Sequence, residues 1–94
     1  MIQSMETGSR RSEIIKKTWG EEEIWANCES YLGKIITINP GHRLSKQYHV
    51  EKEETIRVLS GLLKLEVGDQ DYLEVKTLVT GDCFHVTPGT IHRF

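Results

Sequence analysis

From Ile14 onward the chain never runs far before a glycine interrupts it. Gly20, Gly33, Gly41, Gly61, Gly68, Gly81 and Gly89 fall mostly eight to twenty residues apart. Segments of that length, bounded by turn residues, suit short strands joined by turns. Within them the apolar residues follow a period of two: Leu63, Leu65 and Val67 alternate with Lys64 and Glu66, and Leu73, Val75, Thr77 and Val79 alternate with Glu74 and Lys76. Side chains in a strand point alternately to its two faces, so each of these runs predicts one face in a core and one in water. Gly68 to Asp71 reads as the turn between the two runs, and Ser60-Gly61 as the close of the hairpin before them. No stretch carries a helical stripe, although Glu21 to Ala26 has room for one turn of helix. The expected class is all-β and antiparallel.

A chain of 94 residues has room for one domain, and a domain this small buries only roughly 60–65% of the surface its unfolded chain exposes. Its stability margin is thin, so bound metal or partners carry weight. Residues 1–12 are small and polar, too poor in apolar side chains to offset the entropy of ordering, and read as a flexible arm ahead of a domain over 13–94. Twelve Lys and Arg against 14 Asp and Glu give a net charge of −2, without the basic face that a nucleic-acid binder needs. No apolar run approaches the roughly 18–20 residues that span a bilayer, and Met1 to Arg11 lacks the apolar middle of a signal peptide. The expectation is a cytoplasmic protein with no nucleic-acid or membrane partner. Cys28 and Cys83 stand alone in separate segments and read as reduced and incidental.

Ser45 to Val50 reads as a strand that puts Ser45, Gln47 and His49 on one face. Glu54 then opens a strand whose Ile56 and Val58 share its inward face, which sets a carboxylate among apolar neighbours. Burying such a group unpaired costs several kcal/mol, and a cation is the simplest compensation. A later strand with Phe84 and Val86 inward turns at Pro88-Gly89, and His92 begins the return. Gln47, His49, Glu54 and His92 are therefore the candidate metal ligands, a mixed N/O set that suits zinc, with iron, manganese or nickel as alternatives.

These residues resemble both signature motifs of the cupin superfamily. The first reads Gly41, five residues, Gln47-Tyr48-His49, four residues, Glu54, six residues, Gly61. Gln47 stands where most metal cupins carry their first histidine. The second reads Gly81, five residues, Thr87-Pro88-Gly89, two residues, His92, with Thr87 in place of a proline. The likeness runs from about Trp19 to Phe94. A Gln-x-His pair followed by a glutamate and a distant histidine looks like the zinc ligand set of phosphomannose isomerases. The stretch Leu44 to His49, Gly33-Lys34 upstream and Ile91-His92-Arg93 are similar to that branch, including the domain fused to mannose-phosphate guanylyltransferases.

The resemblance implies a jelly-roll β-barrel and one divalent ion. It also implies aldose–ketose isomerisation of a sugar phosphate, in which a proton moves between adjacent carbons through an enediol. Lys52 matches a lysine that the branch keeps beside its ligand glutamate and is the candidate acid/base. Lys34 and Ser45 are the candidate substrate contacts. The resembling isomerases continue into further strands carrying an arginine and an acidic residue, positions with no counterpart before Phe94. A barrel lacking those strands leaves an open sheet edge, and the expectation is a homodimer that covers it, with exchanged N-terminal strands.

Two rival readings are a noncatalytic metal- and carbohydrate-binding module and a metal-dependent oxygenase, the second disfavoured by Gln47. His42 and His85 read as surface residues, and Arg93 as facing away from His92. Trp19 and Trp25 read as core or interface aromatics.

Overall fold

Eight strands and no helix make up the described residues of the computed structural model, which are 6–44, 53–69 and 72–93. In chain order the strands are β1 (Glu13–Lys17), β2 (Gly20–Asn27), β3 (Leu32–Ile38), β4 (Glu54–Arg57), β5 (Leu62–Gly68), β6 (Leu73–Val79), β7 (Cys83–Val86) and β8 (Ile91–Arg93). Every pairing is antiparallel, so the all-β class read from the sequence holds. The chain divides into two compact units, Met1–His42 and Arg43–Phe94. Among the described residues no helix is long and apolar enough to cross a membrane, and both cysteines are free.

The first unit is a three-stranded meander in the order β1-β2-β3. The helical turn expected over Glu21 to Ala26 is instead the middle of β2. Charge matching across the sheet explains the difference. Lys16 lies directly opposite Glu21 and pairs with it at 2.6 Å, Lys34 of β3 meets Glu22 at 3.3 Å, and the Ser12 hydroxyl donates to Glu23 at 2.7 Å. Three consecutive glutamates would repel one another on a lone helical turn, whereas here neighbouring segments offer each one a cation or a donor. The ladder slips between Ile24 and Ala26. Trp25 sits in that irregularity, 57% exposed, with its ring over Gly33, where an added Cβ would come within 2.5 Å of it. Trp25 is thus a lid on a glycine rather than a core residue.

The second unit contains two sheets, β4-β7 and β6-β5-β8. Val58, Leu65 and Leu78 form its core, and Ile56, Leu63, Val67 and Phe84 pack against them. Ile56 lies opposite Phe84, and Glu54 opposite buried Val86, so β4 and β7 turn the same apolar face inward, as their alternation predicts.

Two expectations are corrected here. Ser60-Gly61 does not close a hairpin between paired strands, because β4 pairs with β7 while β5 pairs with β6 and β8. The turn instead carries the chain from one sheet to the other, with Gly61 at φ +91°, a conformation in which a Cβ would be strained. The Pro88-Gly89 turn makes the reverse crossing from β7 to β8. The second correction concerns β6: Leu63 lies opposite Leu78, Leu65 opposite Lys76 and Val67 opposite Glu74. Its inward residue is therefore Leu78, at 8% exposure, while Val75 and Val79 face outward at 58% and 49%. The face expected to be wet is the inner one, because pairing with Leu63 and Leu65 sets the phase of the strand.

Candidate functional site

Glu54 and His92 meet although they lie on strands that do not pair with each other. Glu54 is the first residue of β4, held opposite Val86, and His92 is the middle residue of β8, held opposite Val67. The two crossings between sheets bring these strand ends together. His92 Nε2 lies 3.1 Å from Glu54 Oε2, with side-chain exposures of 2% and 21%. An imidazole buried this deeply needs a polar neighbour, and the carboxylate stands at ion-pair distance from it.

The distance also fits a shared ion. Two ligands each about 2.0 Å from a tetrahedral zinc stand roughly 3.3 Å apart, close to the separation observed. His92 and Glu54 are thus a donor pair of the right types and spacing for two corners of a divalent-metal site. Among the described residues no cluster of three or more His, Cys, Asp or Glu side chains is disposed to hold a metal. Gln47 and His49, the other two expected ligands, lie outside the described residues, as do Ser45 and Lys52.

Lys34 lies in the first unit, on β3, where its ammonium pairs with Glu22. Arg93 turns away from His92 as its alternation predicts, and its guanidinium donates to Glu66 at 2.9 Å. Arg43 approaches the same carboxylate at 3.6 Å. His85 also faces away from Phe84 and Val86, but it is not isolated. Its Nδ1 lies 2.7 Å from the Thr55 hydroxyl and its Nε2 2.8 Å from Glu53 Oε2, forming a polar chain on the outer face of β4 and β7. The signal for it was the period of two that aligns Glu53 with Thr55, but the cross-strand register that brings in His85 is tertiary information.

A second polar pair escaped the sequence reading. Glu74 and Lys76, 2.8 Å apart, lie on the inner face of β6 because Val67 and Leu65 stand opposite them. Alternation alone had assigned both to the wet side.

The family described as Cupin domain matches residues 34–94. Over 83 residues, 88% of its length, the chain is 28% identical to the mannose-1-phosphate guanylyltransferase RfbM of Salmonella typhimurium. Over 76 residues, 81% of its length, it is 26% identical to a mannose-1-phosphate guanylyltransferase of Salmonella muenchen. It spans only 16% and 15% of those two relatives. No solved structure matches.

Proposed function

The chain belongs to the cupin domain family, and from that premise we propose that it is a metal-binding cupin that takes a sugar phosphate. The observation that carries this reading is the contact between buried His92 and Glu54, two ligand-type side chains, one from each signature motif. The relatives' names refer to mannose 1-phosphate, which supports a phosphorylated sugar as the ligand class.

Within this proposal Gln47 and His49 complete the ligand set with Glu54 and His92, and zinc is the metal that best suits two imidazoles, a carboxylate and an amide oxygen. When bound, such an ion supplies Lewis-acid polarisation of the sugar oxygens. The chain's own part is to keep water out and to hold the sugar. Ile56, Val58 and Leu65 belong to the apolar core of the same unit, and Ser45 is the proposed substrate contact. Aldose–ketose isomerisation needs in addition a group that moves a proton between adjacent carbons, and Lys52 is the proposed one. The chain is also proposed to act as a homodimer, since among the described residues β6 has a neighbour on one side only and an open strand edge favours pairing.

The test is to saturate the purified protein with zinc, manganese or iron, then measure mannose 6-phosphate binding by calorimetry and its conversion to the ketose phosphate. Binding with turnover supports the isomerase. Binding without turnover that survives Lys52→Ala leaves a noncatalytic metal- and carbohydrate-binding module. Absence of both binding and turnover rejects the proposal. Light scattering of the same sample, with a monomer mass as the adverse result, checks the dimer.

A further inference from the structure

Residues directly opposite one another in an antiparallel ladder point to the same face. Val67 lies opposite His92 on one side and Glu74 on the other, and Leu65 lies opposite Lys76. His92, Val67, Glu74, Leu65 and Lys76 therefore share one face of the β6-β5-β8 sheet. That face is the inner one, since Leu65 is fully buried and Leu78, next on β6, is nearly so.

An ammonium is out of place on a core-facing strand position unless something there needs it. The other cations on the described strands of this unit all avoid the inner face. Lys64 alternates with Leu65, Arg57 with Ile56, and Arg93 with His92, so each points outward. Lys76 is the one cation among them that points in, and its side chain is 43% exposed. It sits at the sheet's edge, where the inner face opens to water.

The distances suit one kind of molecule. Adjacent strands lie about 4.8 Å apart, so β8 and β6 are roughly 10 Å apart across β5. His92 is level with Glu74, and Lys76 lies two residues further along β6, so the two backbones are roughly 12 Å apart, a gap that the long lysine side chain can narrow to the length of an extended six-carbon sugar with a phosphate at its far end. A lysine is a suitable point charge for a phosphate, which it meets through a charge-assisted hydrogen bond. Glu74, 2.8 Å from the ammonium and itself 52% exposed, is its ion-pair partner and lowers its net attraction for anions.

We propose that Lys76 is the phosphate-binding residue of the site, with Glu74 as the carboxylate that competes with the phosphate for its ammonium. This rests on the reading of the site as one for a sugar phosphate, and it shifts the phosphate contact from Lys34, which belongs to the Met1–His42 unit, to the inner face of β6, in the same unit as His92 and Glu54. The ligand spans the site with its sugar oxygens at the His92–Glu54 end and its phosphate at Lys76.

The experiment compares mannose 6-phosphate with unphosphorylated mannose by calorimetry on zinc-loaded protein. The wild type should prefer the phosphate ester. Lys76→Met should remove most of that preference, weakening the ester by roughly tenfold, a charged hydrogen bond's worth, with mannose and zinc affinities unchanged. Lys76→Arg should restore the preference, and Glu74→Gln should tighten the ester. A preference that survives Lys76→Met, or a wild type that binds both sugars equally, overturns the proposal. If Glu54→Gln leaves zinc binding intact while Lys76→Met still removes the preference for the ester, the phosphate site stands and the metal reading falls.

Discussion

Glu54 and His92, 38 positions apart in the chain, bring a carboxylate oxygen and a ring nitrogen to 3.1 Å from two different sheets. Nothing local in either strand requires this. Each residue's backbone is fixed by its own ladder partner, Val86 for Glu54 and Val67 for His92, so the contact reports how the two sheets of this unit face each other.

If the pair serves as a metal half-site, Glu54→Gln removes an anionic ligand while keeping its size. Zinc affinity, measured by competition with a chromophoric chelator, should then fall by more than roughly tenfold, the lower end of what even an outer-shell change costs. His92→Ala should do the same. Zinc binding that persists in both variants rejects the site.

Metal should also stabilise the fold. A ligand present at 100 times its Kd and bound only by the native state adds about 2.7 kcal/mol. For a domain this size each 1 kcal/mol moves the thermal midpoint by about 4–8 °C. Saturating zinc should therefore raise Tm by roughly 10–20 °C, and chelation should reverse it. A midpoint indifferent to zinc is the adverse result.

The phase of β6 can be tested by two neighbouring truncations. Leu78, buried against Val58 and Leu65, should cost about 2–5 kcal/mol when changed to alanine. Val79 faces outward, and Val79→Ala should stay within about 1 kcal/mol. Urea unfolding of both variants decides the matter, and the reverse ranking would restore the phase read from alternation.

The chain of Glu53, His85 and Thr55 lies on the outer face, with the histidine and glutamate side chains 50% and 61% exposed. Exposed pairs of this sort contribute about 0–1 kcal/mol. Glu53→Gln should accordingly leave unfolding midpoint and zinc affinity near wild type. A large loss of zinc affinity would place this cluster, rather than the inner face, at the working end of the molecule.

Alternation and turn chemistry were enough to read the strand class, the inward faces of β4, β5 and β7, and the outward aim of His85 and Arg93. These depend only on the period of two and on the position of each glycine. Glu54 drew attention for the same local reason: it sits in phase with Ile56 and Val58. The strand at β2 was harder to see, because three glutamates in a row carry no alternating pattern and their partners, Ser12, Lys16 and Lys34, lie on other segments.

What only the tertiary structure decided is which strands pair and which face looks inward. In β6 the residues Leu73, Val75 and Val79 outnumber Leu78, so alternation favoured the wrong face. The register opposite Leu63 and Leu65 overrode it, because an edge strand can leave valines in water at small cost while a core cannot leave the space beside Leu65 empty. That one reversal moves Lys76 from the solvent side to the face it shares with His92. The local pattern established which residues can be strands and which could bind; the pairing of the sheets determined which of them stand together.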